Sequence, residues 1–268
     1  MTPITLLSVY DLALAATLVL LLAAVNLSVS KRLAIDLTIS MFRMIIQLSL
    51  VALVLKFLFT QSHFGWILGI GSLMALAAGR EVTARQKYRY QGLWGFSLGT
   101  ASMALSSFTL CLFSLFLIQA EPWYHPQYAI PLLGMLLGNT LNGVSICLDR
   151  LTESAIKESD AIEARLALGH TWYEATATQR HQALHSALIP TINSMAAAGL
   201  VSLPGMMTGQ ILAGIAPQVA VNYQILIFLL IAVSSGVGSY LITLFGTRRL
   251  FDERQRLCLE RLTQKSRH

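Results

Sequence analysis

Arg43, Gln47, Asn139, Asn142, Met206, Met207 and Gln210 are polar or soft-ligand residues inside or beside long apolar runs. Arg43 and Gln47 are four apart, and Asn139 and Asn142 three apart, so each pair shares one face of a helix. Lipid offers such groups no hydrogen bonds, so each must face protein or water, and together they are candidates for a solute path. A charge at the centre of a span costs about 2.5–3.5 kcal/mol on insertion scales, which makes Arg43 a functional candidate. It also lies only about 7 residues, roughly 10 Å, from the nearer helix end, so it can equally snorkel to water. Met206, Met207 and Gln210 follow the Pro204-Gly205 pair. Thioethers suit soft ions and ferric iron prefers oxygen, so flexible packing is the alternative role for the methionines. Asp11 and Glu121 fall near span ends, and no carboxylate–histidine cluster lies at membrane depth; any metal ligands stay unknown. The chain has no H-E-x-x-H, G-x-S-x-G or Walker A motif, so no catalytic residue is assigned and ATP hydrolysis would need another chain.

A second constellation is water-compatible. From Asp149 to about Ala187 the chain is charged and amphipathic, with Leu151, Ala155, Ile162 and Leu166 forming one apolar stripe. Gly169 follows the stripe and suits the residue just past a helix end. Thr171 and Glu174 make a T-x-x-E capping box that opens a new helix, and Pro190 limits or kinks it. The expectation is helix, glycine turn, helix. Trp172 and Tyr173 at the turn argue for a docking role over a solvated hairpin, since two large aromatics there need a contact.

These residues hang on a chain of 268 residues that is 55% hydrophobic and only 12% charged. Soluble domains carry about 25% charged residues. Seven apolar segments are long enough, or nearly so, to span a bilayer: about 4–27, 37–59, 64–78, 93–118, 128–148, 188–203 and 221–245. The third and sixth are short, and Pro204–Gln218 reads as a re-entrant or broken segment. The first run lacks a basic n-region and a small-residue cleavage site, which predicts a retained span. Of the 19 Lys and Arg, all but Arg43 and Lys56 fall in alternate loops and the tail. That one-sidedness predicts an N-terminus outside and a cytoplasmic C-terminus, and it attributes the +6 charge to topology and anionic lipid, not nucleic acid. Trp66, Trp94, Trp123, Tyr124 and Tyr128 fit interfacial belts. Cys111, Cys147 and Cys258 show no disulfide or zinc spacing. The expected architecture is an all-α polytopic bundle, a single domain over 1–268 with a cytoplasmic helical coupling segment at about 149–187.

"EARLALG", Glu163–Gly169, resembles the EAA loop of ABC-transporter permeases, in which Glu-Ala, a short run and a Gly form the cytoplasmic coupling helix. The generic loop reaches a Leu-Pro pair sooner; here Pro190 lies 21 residues beyond Gly169. "FRMIIQLSLVALVLKFLF", "PLLGMLLGNTLNG" and "GLVSLPGMMTGQILAG" resemble the FetB-type permeases, implicated in bacterial iron export and related to plant aluminium-tolerance proteins. The resemblance implies an inner-membrane permease half working as a homodimer with a separate FetA-like ATPase, which would hold ATP and Mg; this chain would hold no cofactor. It also implies that Glu163, Ala164, Gly169, Thr171, Trp172, Tyr173 and Glu174 contact that ATPase. A secondary transporter driven by an ion gradient is the competing class. Its usual marks are internal repeats and an intramembrane acid, and neither is seen.

Overall fold

The computed structural model describes residues 8–60, 64–119, 121–122 and 124–264. The first helix, α1 (Val9–Leu27), starts at a Ser8–Asp11 capping box, the side chain of each accepting from the other's backbone N–H. It forms a hairpin with α2 (Lys31–Thr60), and these two helices with Leu212–Gly214 are one compact unit. The hairpin buries almost none of its apolar surface within the chain, the pattern of helices solvated by lipid.

The other unit begins with α3 (Phe64–Arg85), a short strand β1 (Tyr88–Tyr90) and α4 (Trp94–Ile118). It continues with α5 (Pro126–Lys157), α6 (Ser159–Ala167), α7 (Trp172–Ala175), α8 (Ala177–Ala197), α9 (Gly205–Leu212) and α10 (Pro217–Arg249), and ends in a 3₁₀ turn and β2 (Leu262–Gln264). α5 is the hub and packs on α3, α4, α8 and α10. At 32 residues it is about 48 Å long, more than a bilayer core needs, so its last turns project beyond it. Small residues let the helices close up. A Cβ on Gly79 of α3 would strike the Thr100 side chain of α4 and stand 3.3 Å from its Cα. Hydroxyls fasten the interior: Ser234 of α10 bonds Thr140 of α5 at 2.7 Å and Ser107 of α4 at 3.2 Å, all three fully buried.

Among the described residues six helices are long and apolar enough to cross a membrane: α1, α2 over Lys31–Lys56, α3, α4, α5 and α10. The expected span at 188–203 is not a continuous helix. α8 runs through Pro190 and stops at Ala197, and the backbone then closes on itself, Gly199 N–H donating to Ser202 O and Ser202 N–H to Ala197 O. α9 starts beyond Pro204. The cause is composition: Pro190, Asn193 and Ser194 dilute the apolar run, and the Gly-Pro content beyond it favours turns.

The segment after α10 is a folded element. β2 pairs antiparallel with β1, Tyr88 opposite Gln264 and Tyr90 opposite Leu262. The Tyr90 hydroxyl donates to Gly246 O at 2.8 Å, and burial pushes its pKa far above the usual tyrosine range, so it remains a donor at any physiological pH. Arg261 donates to Arg249 O and Phe251 O. These contacts gather the basic ends of α3, α5 and α10 into one end of the unit.

Candidate functional site: a capped turn and an interhelical groove

The turn between α6 and α8 is built as its residues suggest. Gly169 has φ +91°, a conformation L side chains rarely adopt. Gly169 N–H donates to Leu166 O at 2.9 Å and His170 N–H to Arg165 O at 3.2 Å, the paired bonds of a Schellman motif. Next, Thr171 Oγ accepts from Glu174 N–H while Glu174 accepts from Thr171 N–H at 2.8 Å. Those bonds from the Thr171 backbone and hydroxyl hold the Glu174 pKa below the usual carboxylate range. Arg180 stacks on Tyr173 at 3.5 Å from the ring centroid and donates to Tyr173 O, and Arg165 reaches Ala175 O. These bonds close within a few residues and fix the path of the turn.

Trp172 is not the free anchor its position suggested. Its ring packs against Phe251 at 6.4 Å with Arg248 above it, and its backbone N–H donates to Gln255 Oε1 at 2.9 Å. The outward-facing apolar groups are Leu168, 79% exposed, and Tyr173, 44% exposed. Glu163, Ala164, Gly169 and Glu174 are also exposed. Glu163 and Gly169 line a groove of about 630 Å³ whose other wall is Arg254–Leu257. The sequence reading missed both Leu168, which looked like one more residue of the helix, and the C-terminal wall, which looked like a charged tail.

The groove that α8 and α9 share with α5 and α10 holds two of the expected path clusters, one above the other. Asn139 and Asn142 line a cavity of about 190 Å³ with Pro190, Thr191 and Ser194 of α8 and Phe228 of α10. Further from the basic end, Met206 and Gln210 line a cavity of about 420 Å³ with Tyr128, Met135 and Tyr223. Gln210 Oε1 is buried with no hydrogen-bond partner among the described residues. Since α8 meets α5 near Asn139 and α9 lies near Met135 and Tyr128, the chain advances along the groove across the break. Met207 lines neither cavity. Asn139 Nδ2 donates to Met135 O of its own helix at 2.8 Å, whereas Asn142 Oδ1 accepts from Arg85 Nη1 at 2.9 Å. Arg43 and Gln47 lie exposed on α2, in the α1–α2 unit. Trp123 lies outside the described residues. Among those residues no group of three or more His, Cys, Asp or Glu could hold a metal ion.

The fold and these features define an integral membrane protein of the polytopic helical class. Residues 9–251 match the family described as Uncharacterised protein family (UPF0014), and the chain belongs to it. It is 37% identical to a UPF0014 membrane protein of Synechocystis over 80% of this chain and 83% of that one. It is 35% identical to the Protein ALUMINUM SENSITIVE 3 of Arabidopsis thaliana, over 84% and 81% respectively. It is 31% identical to the Probable iron export permease protein FetB of Escherichia coli, over 94% and 96%. No solved structure matches the chain.

Proposed function

We propose that this chain is the permease subunit of an ABC exporter in a bacterial inner membrane, acting as a homodimer with a separate FetA-like ATPase that binds ATP and Mg. The observation that carries the reading is the capped α6–α7 turn. It holds Leu168 and Tyr173 outward beside a groove of about 630 Å³, in a chain with no nucleotide motif of its own. The excess of basic residues assigns that end to the cytoplasm, where an ATPase works. The near full-length match to a relative named an iron export permease supports the same reading and favours a metal or a related solute. In it, solute enters the groove between α5, α8 and α10 and passes Asn139 and Asn142, then Met206 and Gln210. The half-helix break at 198–204 is the element that opens, as unwound backbone at membrane depth is tolerated where it lines a cavity.

The test is capture of a FetA-like ATPase by the purified permease. The wild type is expected to retain it, and a Leu168→Asp/Tyr173→Ala variant is expected to lose it with its own thermal unfolding unchanged. Failure of the wild type to capture any such ATPase, with transport abolished by an ionophore, would put the protein among gradient-driven transporters.

A further inference from the structure

At the basic end α5 and α8 line a third cavity, of about 420 Å³, which the path above does not use. Its α8 wall carries His181 and His185, and its α5 wall carries Arg150, Glu153 and Lys157, with Glu158 following. The sequence here is H-x-x-x-H on a helix, so the two imidazoles stand one turn apart on one face. Both are exposed, and their rings are stacked, 26° from parallel with centroids 6.4 Å apart. Two histidines at this spacing on a helix form a recurrent two-point metal chelate. Metal–nitrogen bonds of about 2.0–2.1 Å require the donor nitrogens to approach to roughly 3 Å, so each ring must swing toward the other for both to bind one ion.

The surroundings allow a cation. Arg150 and Lys157 are matched on the cavity wall by Glu153 and Glu158. Glu153 holds Lys157 at 3.0 Å, Lys87 at 3.3 Å and Arg150 at 3.9 Å, so the basic groups are drawn to the α5 side. Glu158 accepts from Gln179 at 2.6 Å. Among the described residues the histidines are thereby left as the donors with no carboxylate partner in the cavity. Two imidazoles suit first-row divalent ions and do not suit magnesium or calcium, which prefer oxygen. With only two protein ligands, water must complete the shell, and such an open site exchanges its ion quickly.

We propose that His181 and His185 form a labile binding site for a divalent first-row transition-metal ion in the α5–α8 cavity at the basic end. Its role as the point where cargo loads before passing Asn142 and Asn139 rests on the transport reading above. The site itself rests on the histidine geometry and the cavity.

Cu(II) alone is the probe, added at one equivalent to the purified full-length protein. Electron paramagnetic resonance is expected to show coupling to two equatorial imidazole nitrogens. His181→Gln or His185→Gln should reduce this to one nitrogen and weaken binding at least about tenfold, since the second bond of a chelate is intramolecular. Both side chains are exposed, so folding should be unaffected, which unfolding curves will check. A spectrum and affinity unchanged in the double variant would mean an adventitious ion only and would overturn the site. ATPase capture is measured on the same preparations. A two-nitrogen site without capture refutes the transport reading alone, and capture without the site refutes this inference alone.

Discussion

Asn139→Leu separates a solute path from helix packing, and the structure supplies its magnitude. The Asn139 amide donates to Met135 O, which also accepts the backbone N–H one helical turn on, so removing the amide strands no partner on another helix. A buried hydrogen bond has a net worth of about 0.5–1.5 kcal/mol, and this one, on an exposed side chain, lies at or below the low end because solvent competes for it. The expected cost is at most about 0.5 kcal/mol, or about 1–2 °C in Tm at roughly 2–4 °C per kcal/mol. The neighbouring residue is the control. Thr140, about 100° further round α5, is fully buried and bonds Ser234, which also holds Ser107. Thr140→Val breaks a bond between helices, worth about 0.6 and up to about 1.7 kcal/mol in bilayers. Its Tm should fall by about 1–7 °C. Both variants are measured by thermal unfolding in one detergent and by export per folded molecule in vesicles with the ATPase. The expected result is lost export with intact stability for Asn139→Leu, and the converse for Thr140→Val. An Asn139→Leu protein that melts as early as Thr140→Val while exporting normally would refute the placement of the path.

Trp172→Ala should loosen the turn from the C-terminal segment and lower stability by about 1–3 kcal/mol, less than a fully buried aromatic because the ring is partly exposed; protease cleavage near Phe251 should rise with it. Gly79→Leu should overpack α3 against Thr100 and cost about 1–3 kcal/mol, seen as a lower Tm, while Gly69→Leu, with open space around it, should not. Glu174 has its folded pKa held below the ordinary carboxylate value, so its contribution to the turn is complete above the unfolded pKa of about 4.3 and is lost as pH falls through the depressed value. Hydrogen exchange over residues 168–176, corrected for the intrinsic rate, should therefore rise in acid, and Glu174→Gln should show the rise already at neutral pH.

Local chemistry carries far in this protein. The apolar runs that became α1, α2, α4, α5 and α10 are legible because lipid demands length and hydrophobicity of each helix separately. The Gly169 turn and the Thr171–Glu174 box are legible because their bonds close within a few residues. Other features depend on what lies across a gap. Asn139 and Thr140 are adjacent in sequence and both polar, yet one faces a cavity and the other a buried hydroxyl cluster, because the positions of α8 and α10 decide which side of α5 is wet. Trp172 is occupied internally because Phe251 and Gln255 return to it from some 80 residues away along the chain. The expected span at 188–203 is broken at Ala197, which hydropathy does not register because it sums side chains and ignores where the backbone turns. Thus the residues themselves determined that the chain enters a membrane and where it makes its capped turn. Only the tertiary structure decided which polar groups share a groove, because groove walls come from helices distant in sequence.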